Sequence, residues 1–167
     1  MNEDNKVRNF QELGTCLQRI ASRLMANQEL LKLLYYQDKD PLSHSSLSDL
    51  QKEHDIFNKY ILIVPKMMPQ EDSRSRITLM IMNGEQNSEN DNFNDIAVNV
   101  EVYVPITQWI IKDTNLRPFA IMGEIQKSLN KKVINGIGRM VGGDFEYSFT
   151  TDEMTCYIQH FKIINYD

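Results

Sequence analysis

The amino-acid sequence predicts an α+β fold, a mainly antiparallel sheet with helices packed on one face. The first observation is a run in which apolar residues fall at every second position, as in a strand with one buried face: Ile96, Val98, Val100, Val102 and Val104. The second is its neighbour, residues 77–82, which is separated from it by too few residues for a crossover helix, so the two are predicted to be antiparallel. The third is helical spacing of apolar residues near the start of the chain and over residues 116–130.

The start of the chain is predicted to be helical. Over residues 7–26 apolar side chains recur at every third or fourth position, which indicates an amphipathic helix. Asn27 either ends or interrupts this helix, because residues 28–36 also have helix-forming composition, and Pro41 stops the helical region. Residues 48–57 are predicted as a short helix, in which Ser48 is the cap and Gln51 completes a capping box.

Three strands are predicted in the middle of the chain. Residues 60–64 are a continuous apolar run closed by Pro65, which predicts a strand buried on both faces, and residues 66–75 are then a loop. Strands at 76–82 and 95–104 follow, joined by a polar, acidic tip over residues 84–92 that is expected to be mobile. The sequence does not decide the secondary structure of residues 107–113, since their apolar middle could extend the preceding strand past a bend at Pro105.

The last third of the chain is predicted as a helix and a strand pair. The helix covers residues 116–130, with Asn115 as the candidate cap and Pro118 in the first turn. Glycines at 136, 138, 142 and 143 predict turns, and strands at 144–150 and 155–166 pair about residues 151–153. Aromatic side chains are expected to meet across this pair: Phe145, Tyr147 and Phe149 on one strand, Tyr157 and Phe161 on the other.

The element order is therefore ααβββαββ. One domain is expected over residues 1–167, with a helical part at 1–58 and a sheet-rich part at 59–167, because 167 residues can bury a core without disulfides or metal. The net charge of −5 and the pI near 5.2 argue against a basic nucleic-acid-binding module. Cys16 and Cys156 are expected to be free buried thiols of a protein made in a reducing cytosol.

The polar start of the chain predicts no signal peptide, and the apolar run at 60–65 is too short to span a bilayer, so a soluble protein is expected. No linear motif predicts a reaction centre. Asp38 and Asp40 could pair on a metal, but the proline that follows them favours a helix stop. Glycines 136 to 142 resemble a dinucleotide loop, yet the third glycine is one residue late and the stretch follows a helix.

The histidines His44, His54 and His160 lie far apart in the sequence, without the spacing of a zinc site. Catalytic residues, metal ligands and cofactors are therefore not expected, and the chain is predicted not to be an enzyme. The candidate functional residues are acids at and beside the hairpin tip: Glu85, Glu89, Asp91 and Asp95. Such a tip could contact a neighbouring subunit or face a lumen in which negative charge repels DNA, and the alternative is a solvated loop.

Four features taken together resemble the tail terminator family of tailed bacteriophages. They are the N-terminal helix, the long acidic hairpin whose second strand ends at Pro105, the helix that begins Leu-Arg-Pro-Phe-Ala-Ile-Met-Gly-Glu-Ile at 116, and the closing strand pair that ends Cys-Tyr-Ile-Gln-His-Phe-Lys-Ile-Ile at 164. The resemblance lies in element order and covers roughly residues 60–167 together with the first helix.

This resemblance implies a virion structural protein that forms a hexameric ring, caps the tail tube, ends its polymerisation and presents a surface to the head connector. The implied partners are further copies of the chain, tail-tube and head-connector proteins, and DNA that passes through the lumen without specific binding. Assembly would occur in the host cytoplasm, without a membrane. Residues 28–59 form a longer passage between helix and strand than the family predicts, which leaves a neck or head-to-tail joining protein as an alternative.

Two other classes of function stay open at the level of the sequence. One is a small hydrolase whose site is assembled from Glu124, Glu146 or Glu153 and from His160 or His54. The other is a monomeric adaptor that binds another protein through the loop at residues 84–94. An antiparallel sheet with unpaired edge strands favours the ring, because a neighbouring copy can satisfy those edges.

Overall fold

The computed structural model describes residues 9–63, 73–86, 88–89 and 92–164. The helices are α1 (Phe10–Met25), α2 (Gln28–Tyr35), α3 (Asp49–Gln51) and α4 (Arg117–Leu129). The strands are β1 (Ile61–Leu62), β2 (Arg76–Gln86), β3 (Phe93–Pro105), β4 (Lys132–Ile134), β5 (Gly138–Thr150) and β6 (Met154–Ile164). A π-helical turn at Lys52–Ile56 continues α3, and 3-10 turns lie at Pro41–Ser43, Ile106–Gln108 and Lys112–Thr114.

All six strands belong to one sheet, in the order β1-β2-β3-β6-β5-β4. The short β1 runs parallel to β2, whereas the other neighbours are antiparallel. Alternate side chains of β3 are fully buried and pack into one core with the apolar faces of α1, α2 and α4. Burying one such aliphatic side chain stabilises the fold by about 1.5–3 kcal/mol. The predicted α+β class, with a mainly antiparallel sheet, is confirmed.

The two first helices are separated by a capping residue. The Asn27 side chain accepts a hydrogen bond from the Leu30 backbone N–H at 3.1 Å, so α2 begins as a new helix directly after α1. At the next helix the predicted capping box is present, with the Gln51 N–H bonded to the Ser48 hydroxyl and the Gln51 side chain bonded to the Ser48 N–H. These short polar contacts explain why the helical region is divided where it is.

Arg117 is buried completely at the start of α4. Its guanidinium donates hydrogen bonds to backbone carbonyl oxygens at the end of α2 and just beyond it, those of Leu33 (2.6 Å), Tyr36 (2.7 Å) and Asp38. A further bond runs from Nε to the carbonyl of Gln108 at 2.9 Å. The cation thus lies at the negative end of the α2 dipole and satisfies carbonyls that a helix end leaves unpaired.

The hairpin strands are longer than predicted. β2 continues to Gln86 and β3 begins at Phe93, so both enter the stretch predicted as a loop, while residues 87, 90 and 91 lie outside the described residues. Phe93 is buried and its ring contacts Phe10 at a centroid distance of 5.1 Å. The extension arises because this apolar contact with α1 holds the start of β3, although the sequence around it is polar.

The predicted strand at 60–64 is shorter in the structure. β1 comprises Ile61 and Leu62, both buried as expected, and residue 64 lies outside the described part of the chain, as do residues 66–72 of the predicted loop. Residues 107–113 do not extend β3. They form 3-10 turns with one isolated bridge between Ile110 and Leu116. Asn115 is not the cap of α4, because Leu116 takes the N-cap position without a side-chain bond.

The prediction of turns at Gly142 and Gly143 is wrong. β5 begins at Gly138 and runs through both glycines, which form a bulge with φ of 133° and 114° and shift the register against β6. A Cβ at Gly142 would lie 2.4 Å from the carbonyl oxygen of His160. Glycine is therefore required for close approach to β6, which the sequence alone does not distinguish from a turn. The short strand β4, pairing with residues 138–140, was not predicted.

Candidate functional site

In the part of the chain that the structure describes, each border strand of the sheet covers only a few residues of its neighbour. β1 pairs only with Ile77 and Thr78, so among the described residues no strand lies on the outer side of residues 79–86. At the opposite border, β4 pairs only with residues 138–140 of β5, and Asn130 accepts a hydrogen bond from the Gly142 N–H at 3.3 Å. Residues 143–150 of β5 then have no described strand beside them. Such edges carry backbone donors and acceptors that can pair with another chain.

The two open edges run in opposite directions. β2 is antiparallel to β3, β3 to β6, and β6 to β5. Three reversals therefore separate β2 from β5. If a second copy of the chain is placed beside the first by rotation about an axis along the strands, its β2 meets β5 in the antiparallel sense.

An aromatic surface lies beside the open part of β5. We define it by five side chains on the helix side of the sheet that contact one another through Tyr157 or Phe119: Trp109, Phe119, Phe145, Tyr147 and Tyr157. Tyr157 lies at the centre, with ring centroids 5.4 Å from Phe119 and 5.8 Å from Tyr147. Phe145 and Tyr147 are 56% and 57% exposed. The helices cover the rest of this face but leave these rings accessible.

The aromatic surface continues into a groove of about 550 Å³ beyond the end of β3. Its lining is mostly apolar, with one charged residue and three threonines: Lys39, Ile106, Thr107, Trp109, Ile110, Thr150, Thr155 and Tyr157. Five large apolar side chains of the aromatic surface and the groove are more than 40% exposed: Ile106, Ile110, Phe119, Phe145 and Tyr147.

The predicted aromatic pairing is only partly correct. Tyr147 lies opposite Tyr157, and Phe145 lies opposite Gln159 with its ring near Tyr157. A second register shift between Tyr147 and Phe149 turns Phe149 to the other face of the sheet, where its ring faces Tyr103 at 6.1 Å. The second register shift therefore separates Phe149 from Phe145 and Tyr147, which the sequence predicts on the same face. Trp109 and Phe119 were not predicted as members of the surface, since only the tertiary structure brings them beside β5.

The predicted acidic residues lie at one end of the β2–β3 hairpin. Glu85 is exposed on the open edge of β2 opposite Asn94, Glu89 is exposed in the turn, and Asp95 is exposed in β3 with a φ of 49°. Asp91 lies outside the described residues. Tyr157, at the centre of the aromatic surface, pairs with Val102 of β3, so this surface lies roughly 23 Å from Asp95 along the strand at about 3.3 Å per residue. The structure therefore does not bring the two predicted features together within one copy.

Of the residues considered for a hydrolase site, His160 and Glu146 are brought together. His160 contacts Asn99 through Nδ1 at 2.9 Å and Glu146 through Nε2 at 3.5 Å on the outer face of the sheet. His44 pairs with Asp38 at 2.7 Å, and Asp40 with Lys112 at 3.0 Å. Glu124 forms an ion pair with Lys127 on α4. Within the described ranges, no three His, Cys, Asp or Glu side chains are arranged to hold a metal ion.

The two cysteines are free and buried. Burial raises the pKa of the Cys16 thiol to about 12, against the opposing charge of Arg19. Burial also raises the pKa of the Cys156 thiol to about 11, with a further contribution from Glu101. Both thiols are therefore protonated near neutral pH, which is the state of packing residues and the opposite of an activated nucleophile.

Comparison with known proteins connects the chain to bacteriophage. No curated protein matches it. A family model, YomW, matches residues 27–163, which include α2, α4 and the sheet apart from the last residue of β6. The family carries the name of a phage-derived gene, so the chain is phage-associated. None of the described helices has the length and hydropathy that a membrane span requires. Because the match covers most of the chain, the protein belongs to the YomW family.

Proposed function

We propose that the chain is a ring-forming structural subunit of a bacteriophage particle, a tail terminator or neck protein that caps the tail tube and joins it to the head. In this role it acts through binding, without catalysis. Its partners are further copies of itself, the tail-tube protein and the head connector, and DNA passes through the lumen. Glu85 and Glu89 carry negative charge, so DNA is attracted less strongly to the surface around them.

The observation that carries this proposal is the sheet with two open edges. Among the described residues, no strand pairs with the outer side of residues 79–85 of β2 or of residues 143–150 of β5, which lie at opposite borders of the sheet. A monomer would leave both edges available for unspecific pairing, whereas a closed ring satisfies each edge with the next copy. The phage-associated family and the accessible aromatic surface beside β5 support the same role.

The mass of the purified chain in solution tests the proposal. We expect analytical ultracentrifugation to give a particle of about six 19.5 kDa copies, and negative-stain electron microscopy to show a ring. Addition of tail-tube protein should place the ring at tube ends. A chain that stays monomeric over the accessible concentration range, alone and with tube protein, would contradict the proposal.

Variants of the aromatic surface provide a matched comparison. Tyr147→Ser should lower the fraction of rings, because the exposed ring adds apolar area next to an open edge. Leu50→Ser, which removes an apolar side chain on α3 that is even more exposed than Tyr147, should leave the fraction unchanged. Equal behaviour of the two variants would argue against assembly through the β5 border. A ring that binds tube ends rather than isolated head connectors would indicate the terminator role and not the neck role.

A further inference from the structure

The β4 border of the sheet carries an excess of positive charge, although the chain as a whole has a net charge of −5. We define the basic surface by five exposed residues of α1 and of the segment around β4: Arg19, Arg23, Lys131, Lys132 and Arg139. We infer that this surface binds the phosphate backbone of double-stranded DNA, through charge and without reading the base sequence. The inference goes beyond the proposed ring and does not require it, because a single copy contains the whole surface.

The tertiary structure brings two distant segments together in the basic surface. Arg19 and Arg23 are four residues apart, which is about 6 Å along α1, and lie on the same side of that helix. The Arg19 guanidinium donates a hydrogen bond to the carbonyl oxygen of Asn135 at 2.9 Å, and Nε of Arg23 donates to that of Ser128 at 3.3 Å. Both arginines are therefore held beside the connection from α4 to β4 and the turn that follows β4.

The cations around β4 lie on both sides of the sheet border. Among the described residues, β4 is the last strand in the sheet order. Ile134 is buried on the helix side, and Lys132, two residues before it, points to that same side. Arg139 pairs with Val133, so both face the outer side. A long polyanion that passes along this border can therefore contact cations on either side of it.

Few acidic residues offset these charges. Residues 125–143 contain four basic residues and no acid, and residues 13–28 contain two basic residues and no acid. Glu124, which directly precedes the first range, forms an ion pair with Lys127. The five cations of the basic surface form no ion pair with a described residue. Their positive charge is therefore available to a ligand.

The composition of the basic surface favours nucleic acid over a protein partner. Among the exposed large apolar side chains of the described residues, Val133 alone lies within it. Interfaces between proteins have an apolar core enriched in aromatic residues, whereas interfaces with DNA are more polar and much more positively charged. Arginine and lysine bind phosphate oxygens, and the duplex carries one negative charge about every 1.7 Å along its axis. Several cations can therefore engage phosphates at once.

The acids of the β2–β3 hairpin lie near the opposite border of the sheet. Glu85 pairs with Asn94 of β3, and three strands separate β2 from β4 in the sheet order. DNA is therefore attracted to the β4 border and less strongly to the hairpin end. Such an uneven charge distribution steers the approach of a charged ligand and orients the subunit on the duplex.

Salt-dependent DNA binding tests the basic surface. Fluorescence anisotropy of a short labelled duplex gives the association constant of the full chain at each of several NaCl concentrations. We expect the logarithm of this constant to fall linearly with the logarithm of the salt concentration, with a slope between about −3 and −4.5, because each neutralised phosphate contributes about −0.9. Two duplexes of unrelated sequence should bind equally well.

Single substitutions assign the binding to this surface. Lys132→Ala and Arg139→Ala should each weaken binding roughly fivefold at low salt and reduce the magnitude of the slope by about 1. Lys59→Ala removes an exposed lysine next to β1, at the other border of the sheet, and should leave both quantities unchanged. Circular dichroism checks that all three variants are folded. An unchanged slope in Lys132→Ala and Arg139→Ala, or an equal reduction in Lys59→Ala, would overturn the inference.

Two further measurements distinguish other occupants of the basic surface. Poly-glutamate should compete weakly, because its charges are spaced more widely than those of the duplex, and displacement of the duplex at an equal concentration of charge would indicate an acidic protein partner instead. A loss of assembled mass in Lys132→Ala without DNA, at an unchanged DNA slope, would make the surface a contact between copies and overturn the inference, while the proposed function stands. A monomeric chain that binds DNA through this surface would contradict the ring and support the inference.

Discussion

At the scale of single residues, Arg117 is the largest fully buried side chain among the described residues. It is fully buried and donates its hydrogen bonds to main-chain carbonyls, so its role is to join the end of α2 to the start of α4. Burial lowers the pKa of this guanidinium, and the nearby charge of Asp38 opposes the shift. A buried charge that is paired only with carbonyl dipoles is retained because removing it leaves several carbonyl oxygens without donors.

Replacing this arginine should therefore destabilise the protein strongly. We expect Arg117→Leu to lower the free energy of unfolding by about 3–5 kcal/mol, since four main-chain carbonyl oxygens, two of them in buried hydrogen bonds, lose their donor. Chemical denaturation followed by circular dichroism measures the change. Lys162→Ala, at an exposed position of β6, should change the same quantity by less than about 0.5 kcal/mol. A small effect at Arg117 would mean that water or another donor replaces the guanidinium.

The buried thiols predict a pH dependence of stability. The pKa of each thiol is higher in the folded chain than its ordinary value of 9.0, reaching about 11 for Cys156 and about 12 for Cys16. Their stabilising contribution is complete below pH 9 and is lost as the pH rises through the folded values, by up to about 1.4 kcal/mol per pH unit for each group. Denaturation curves between pH 8 and pH 11 should show this loss. The loss should be smaller in Cys156→Ala, and equal slopes would contradict the assignment.

At the scale of elements, the register shifts of β5 determine where the aromatic surface lies. The bulge at Gly142 and Gly143 lets β5 stay close to β6, and the shift after Tyr147 sends Phe149 to the outer face. Phe145 and Tyr147 then remain on the helix side, next to Phe119 of α4. The bulge is thus part of how the strand presents its aromatic residues, and a regular strand with the same sequence would present them differently.

A pair of glycine substitutions tests this element. Gly142→Ala should destabilise the fold by about 1–3 kcal/mol from backbone strain alone, because its φ is 133° and the new Cβ would overlap the His160 carbonyl. Gly14→Ala, in the middle of α1 where the added Cβ meets nothing within 4 Å, should instead stabilise the fold by about 0.5–1 kcal/mol. Thermal unfolding of both variants measures the difference. Loss of stability in both would indicate that the effect is not specific to the bulge.

At the scale of the whole molecule, helices pack on one face of the sheet, whereas its two border strands are only partly paired within the described residues. Helices α1, α2 and α4 provide the core, so a single copy can fold by itself, while the borders keep the groups that another copy can bind. The proposed assembly would add stability by mass action, because a neighbouring copy would bind the folded state and not the unfolded chain.

The melting temperature should therefore depend on protein concentration. We expect it to rise by several degrees over about a hundredfold increase in chain concentration. Differential scanning fluorimetry at several concentrations measures this. Tyr147→Ser serves as the comparison and should show a flatter dependence. A melting temperature of the unchanged chain that is independent of concentration would contradict coupling between assembly and folding.

Much of the fold could be predicted because local signals in the sequence agree with the tertiary structure. The alternation of β3 predicts a one-sided strand, and the helical spacing before Asn27 and after Leu116 predicts the main helices. The predictions that were wrong concern short-range ambiguity. Two adjacent glycines are as typical of a turn as of a bulge. A three-residue strand such as β4 is too short to show the alternation of apolar and polar residues.

The sequence by itself therefore determined the α+β class, the long hairpin, the acids at its end and the absence of a linear catalytic signature, because these depend on periodicity and residue type. Only the tertiary structure decided which edges stay open, that β2 and β5 run in opposite directions, and that Trp109 and Phe119 join the rings of β5 and β6. Such features arise from pairing between residues far apart in the chain, and a pattern along one strand carries no information about its partner.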